Sequence, residues 1–144
     1  MKRNIQLSKK TIFVTGAAGF IGANLVRQLL SKDLQGTVIG IDNMNDYYDV
    51  SLKEYRLQEL EKVAALSSSQ WVFIHGNIAD KALLGEVFAR YKPSIVVNLA
   101  AQAGVRYSIT NPDVYIESNL LGFYNILEAC RHSYDNGAPG VEHL

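Results

Sequence analysis

A single cysteine, Cys130, leaves no partner for an internal disulfide and points to a reducing compartment. Charge of one sign is not in excess either: 14 Lys and Arg balance 14 Asp and Glu. A chain so neutral lacks the basic footprint of a nucleic-acid or anionic-membrane binder. Long apolar runs are missing. Residues 1–10 are polar and basic, and the short apolar stretch behind them is broken by glycine, so they read as neither signal peptide nor membrane span. The cytoplasm is the default compartment. His75, His132 and His143 share no metal-ligand spacing with one another or with Cys130, so no metal site is expected. No repeats or low-complexity tracts interrupt the chain. Its 144 residues, 48% of them hydrophobic, suffice for one domain with a real core, read here as spanning 1–144.

What the chain does have is a glycine-rich turn, Thr15-Gly16-Ala17-Ala18-Gly19-Phe20-Ile21-Gly22. Before it runs Thr11-Ile12-Phe13-Val14, a β-type apolar run. After it Ile21, Leu25 and Leu29 recur at helical spacing, with Val26 and Leu30 beside them. Gly16 suits a tight turn, Gly19 lets backbone approach a ligand, and Gly22 permits close strand–helix packing. The leading amides of a helix lack internal partners and, with the dipole, favour an anion such as a pyrophosphate. No Gly-Lys-Ser/Thr follows, so a Walker phosphate loop is excluded. A second apolar run, Thr37-Val38-Ile39-Gly40-Ile41, ends at Asp42, 20 residues past Gly22. That is where a dinucleotide fold places a carboxylate for the adenosine ribose hydroxyls. Its charge would repel a 2′-phosphate, which favours NAD over NADP. Taken alone, Asp42-Asn43 would read as a turn; with the glycines it reads as the ribose carboxylate.

The rest of the chain continues the alternation. Helix is predicted over 20–32 and 51–66, and from Asp80 as N-cap to Tyr91. Strand is predicted over 71–75 and 94–99, and a long helix from Pro112 to Ser133. Residues 43–50 form a polar, tyrosine-rich loop. Strands alternating with helices imply a three-layer α/β fold: a Rossmann-type parallel sheet of order 3-2-1-4. The chain is expected to stop before strand five, leaving strand four as an edge. A ligand would lie over the carboxyl ends of strands one and four.

The opening Thr-Gly-Ala-Ala-Gly-Phe-Ile-Gly resembles the extended short-chain dehydrogenase/reductases, the nucleotide-sugar epimerases and dehydratases. Asp42-Asn43-Met44-Asn45-Asp46-Tyr47-Tyr48-Asp49 and Leu99-Ala100-Ala101-Gln102-Ala103-Gly104-Val105-Arg106-Tyr107-Ser108 are similar to UDP-glucuronate 4-epimerases. The resemblance implies an NAD site built from Gly16, Ala18, Gly19, Phe20, Ile21, Gly22, Asp42 and Asn43. To these it adds Asn77 and Ile78 at the adenine, where relatives carry Asp, and Leu99, Ala100, Ala101, Gln102 and Asn119 toward the nicotinamide. Small residues at 99–101 equally permit tight packing, and Asn77 a plain turn. Arg106 is implied near the sugar nucleotide, where it could fork onto a phosphate or a carboxylate, or simply lie solvated.

The family's chemistry needs a Tyr-x-x-x-Lys pair, with the Lys lowering the Tyr pKa so that the phenolate acts as base. None of the eight tyrosines has Lys four residues on. The chain therefore reads as the N-terminal, cofactor-binding part of a larger nucleotide-sugar epimerase, inactive alone. The sequence leaves two other readings open: a sugar-nucleotide 4,6-dehydratase and a catalytically silent NAD-binding module. The apolar excess in the last helix, together with the way relatives pair, implies a homodimer.

Overall fold

The computed structural model describes residues 4–144, so the first three residues of the polar N-terminal segment lie outside it. Four strands form one parallel sheet: β1 (Thr11–Thr15), β2 (Thr37–Asp42), β3 (Gln70–His75) and β4 (Ile95–Asn98), in spatial order β3-β2-β1-β4. This is the order read from the sequence. Registers run from Thr11 opposite Thr37 and from Ile12 opposite Ile95, so β1, in the centre, is paired on both edges.

Period-two alternation sends neighbouring side chains of β1 to opposite faces. Ile12 and Val14 pack with Val26, Leu30 and Leu60 under α1 (Phe20–Leu30) and α2 (Val50–Ala64). Phe13 joins Ile39, Ile41, Leu84, Phe88 and Ile126 under α3 (Lys81–Tyr91) and the last long helical segment. It meets Phe88 edge-on, ring centroids 5.6 Å apart. Both faces are thus covered, which is why the strands read as continuous apolar runs. Asp49 caps α2 by accepting from the Ser51 amide, and Asp80 caps α3 by accepting from that of Leu83.

Two features depart from the sequence reading. The predicted long helix is not a uniform α-helix. A short α4 (Tyr107–Thr110) precedes α5 (Asp113–Tyr115), a π-helical segment (Ile116–Gly122) and α6 (Phe123–His132). The wider π turn lies where the helix presses on the loop after β3: a Cβ at Gly122 would meet Ile78 Cδ1 at 2.6 Å. The outer edge of β4 is also less bare than expected. Glu142 N donates to Ser94 O at 2.7 Å and Val96 N donates to His143 O at 2.9 Å, an isolated parallel bridge that covers its first half.

Candidate cofactor site

At the carboxyl ends of the strands, where the order reverses between β1 and β4, the structure opens a cleft. Gly16 takes φ +67°, and a Cβ there would lie 3.0 Å from Ala100 N and Leu99 C, so the turn after β1 touches the end of β4. A Cβ on Gly22 would fall 2.0 Å from Gly16 O, which leaves glycine alone able to let α1 start so close to the turn. Thr15 locks the same corner. Its hydroxyl bonds Asn98 Oδ1 at 2.5 Å and accepts the amides of Leu99 and Ala100, each at 3.0 Å. No side chain caps α1, whose first turn points its amides past Gly19 toward the cleft.

Ten sequence-predicted residues line this one cleft: Gly16, Gly19, Asp42, Asn43, Asn77, Ile78, Leu99, Ala100, Ala101 and Gln102. Ala18 lies buried beneath it, its amide donating to Asp42 Oδ2 at 3.1 Å. Gly22 is buried in α1, whereas Phe20 and Ile21 stand exposed and outside the cleft lining. Asn119 acts from behind: its Oδ1 accepts from Gln102 N at 2.8 Å and its Nδ2 donates to Gln102 O at 3.0 Å, pinning the backbone that follows β4. Asn77 is engaged at both ends of its amide, accepting from Ala79 N and donating to Glu117 Oε1, each at 2.9 Å. Arg106 is exposed, outside the cleft lining, and its side chain has no partner among the described residues.

Sequence reasoning missed several contributors. Asn125, buried in α6, donates to Ile78 O and Ala79 O at 3.1 and 2.9 Å and so fixes the loop after β3. Tyr47, Tyr48, Asn45, Ser118 and Lys53 also line the cleft. Lys53 is the least anticipated. Its ammonium lies buried, 3.2 Å from Asp42 Oδ1 and 2.9 Å from Asn45 Oδ1. The signal for it was present: Lys53 stands four residues before Leu57 and seven before Leu60, on the stripe of α2 that packs inward. Arg56, one turn on, donates to Ala18 O at 3.1 Å and Tyr48 Oη at 2.8 Å, with its guanidinium 5.9 Å from the Phe20 ring. Tyr115 donates to Ala103 O, and desolvation, followed by the neighbouring Tyr47, raises its phenol above the ordinary value.

The family model described as GDP-mannose 4,6 dehydratase matches residues 13–139. The chain belongs to this family. It is 49% identical over 121 residues to protein CapI of Staphylococcus aureus, covering 84% of this chain and 34% of CapI. It is 44% identical over 131 residues to UDP-glucuronate 4-epimerase 3 of Arabidopsis thaliana, covering 91% of this chain and 28% of that protein. Among solved structures it is similar to a UDP-glucuronic acid 4-epimerase from Bacillus cereus in complex with UDP-glucuronic acid and NAD. That likeness has a TM-score of 0.69 and 33% identity, over 85% of this chain and 36% of that one. The chain thus spans about a third of the length of the relatives it matches. Among the described residues, no helix is long and apolar enough to cross a membrane.

Proposed function

We propose that this chain is the NAD-binding part of a nucleotide-sugar 4-epimerase. The observation that carries the reading is the junction of the Gly16–Gly22 turn with Asp42 across one cleft at the switch point. The residues fit a dinucleotide. The uncapped start of α1 suits the pyrophosphate, and Asp42, at the floor of the cleft, offers carboxylate oxygens to ribose hydroxyls. Leu99, Ala100 and Ala101 leave the end of β4 low enough for the ligand to pass over it, and Gln102, held by Asn119, borders the far end. Asn43, Asn77 and Ile78 border the adenine side; with both ends of its amide engaged, Asn77 shapes that wall through the loop it organises.

Bound NAD supplies reversible hydride acceptance. The residues of this chain would bind and orient the dinucleotide, with the backbone at 99–102, held by Asn119, bordering its nicotinamide end. The longer protein is read as inverting the C4 hydroxyl of a UDP-sugar, UDP-glucuronate by preference, through a transient 4-keto sugar. Support comes from the relatives and solved neighbours described as UDP-glucuronate 4-epimerases, which favours epimerase over dehydratase. Arg106, exposed beyond the cleft, is the residue offered to the sugar nucleotide. A cytoplasmic homodimer completes the reading.

Calorimetric titration tests it. NAD should bind the chain with one-to-one stoichiometry, and replacing the glycine at 19 by valine should abolish the heat without unfolding the chain. Absence of NAD binding by the unmodified chain would overturn the proposal.

A further inference from the structure

Asp42 is not a lone carboxylate. The Lys53 ammonium sits 3.2 Å from Asp42 Oδ1 with both side chains about 95% buried, and Asn45 Oδ1 holds the ammonium from the other side at 2.9 Å. Asp42 Oδ1 also accepts from Met44 N at 2.9 Å, and Oδ2 from Ala18 N at 3.1 Å. A carboxylate and an ammonium at this separation cancel most of each other's field beyond the pair. Charge repulsion by Asp42 is therefore a poor account of how the cleft would refuse a phosphate on the neighbouring ribose hydroxyl. A second cation stands at the same rim: Arg56 is fixed by Ala18 O and Tyr48 Oη.

We propose that Lys53 is a specificity-determining residue of the cleft: paired with Asp42, it sets the tolerance for a phosphorylated against a free adenosine 2′-hydroxyl. The inference rests on the dinucleotide reading above. While the pair is intact the site is near neutral, and NAD is preferred because Asp42 accepts hydroxyl protons that a phosphate does not carry. With the carboxylate neutralised, the same ammonium becomes a phosphate receptor. With the ammonium neutralised, the carboxylate stands unscreened and refuses the phosphate outright.

The test measures affinities for NAD and NADP by calorimetry in four proteins: the unmodified chain, Lys53→Gln, Asp42→Asn and the double variant. Lys53→Gln keeps a donor toward Asp42 and Asn45 but removes the charge. It should hold NAD affinity within about threefold and weaken NADP about tenfold or more, as expected when a buried carboxylate is left unscreened beside a phosphate. Asp42→Asn should raise the NADP-to-NAD affinity ratio at least about tenfold, and the double variant should return it near the starting value. Should Asp42→Asn fail to fold with a lone buried ammonium, Lys53→Gln decides alone. Equal changes in NAD and NADP affinity in Lys53→Gln, alongside a lowered melting temperature, would make Lys53 purely structural and overturn the inference. Failure of the unmodified chain to bind either dinucleotide would overturn the underlying reading and the inference with it.

Discussion

Gly22 shows how a single hydrogen can decide a site. A methyl there would meet Gly16 O at 2.0 Å, so either α1 or the turn must move. Gly22→Ala should cost about 1–3 kcal/mol of stability, read as a lowered urea midpoint with an unchanged slope. An unaltered midpoint would mean that the turn yields freely. Cys130 makes a pH prediction. Burial pushes its thiol from 9.0 up to about 11. A thiol neutral in the folded chain adds stability that is complete below pH 9 and is lost as pH rises toward about 11. Native Cys130 should therefore resist a thiol reagent at pH 8 and react at once in denaturant; rapid native labelling would contradict this. At this scale the glycines and Asp42 were legible, because a strand, a turn and a helix demand particular residues at fixed spacing. Of Lys53 only the inward spacing on α2 was legible, because lysine on an amphipathic helix otherwise reads as solvated, and only a carboxylate brought from β2 makes its burial tolerable.

At the scale of elements, the strands and their order followed from alternation and from runs buried on both faces. The π segment did not, because its apolar periodicity differs little from that of an α-helix. What marks it is tertiary: Glu117 reaches Asn77 and Asn119 reaches Gln102, and with Asn125 of the adjoining α6 reaching Ile78 one helical run ties both loops at the cleft. Asn119→Leu should free the Gln102 backbone at a cost of about 1–3 kcal/mol, with faster amide exchange at Gln102. Exchange that stays as slow as in the unmodified chain would show that the loop is held by other contacts. Asp49 belongs to this scale too. The Ser51 hydrogen bonds hold its carboxyl below the usual value, so its cap is present above that ordinary pKa and is lost as pH falls through the depressed one. Asp49→Ala should lower the urea midpoint measurably at neutral pH, and an unchanged midpoint would show that the cap adds nothing to stability.

For the whole molecule, the balance of covered and uncovered surface matters most. Ile116, Leu120, Phe123, Tyr124 and Leu127 are all two-fifths or more exposed along one helical run, while residues 141–143 pair only the beginning of the β4 edge. Such an apolar stripe exceeds what a solvated helix ordinarily shows. The chain should self-associate at tens of micromolar in sedimentation, and Leu120→Glu should return it to monomer; a concentration-independent monomer would contradict this. Without Tyr-x-x-x-Lys in its sequence, the isolated chain should not epimerise UDP-glucuronate. Turnover in a preparation free of any longer enzyme would mean that another residue serves as base.

The central claim is that one cleft at the switch point holds NAD. Amide chemical-shift mapping of the labelled chain titrated with NAD addresses it directly. Saturable shifts are expected at Gly16, Gly19, Phe20, Asp42, Ile78 and Leu99 to Gln102, with the 30–36 and 65–69 connections at the opposite end of the sheet unmoved. Shifts centred on that opposite end, or none at all at saturating NAD, would contradict it.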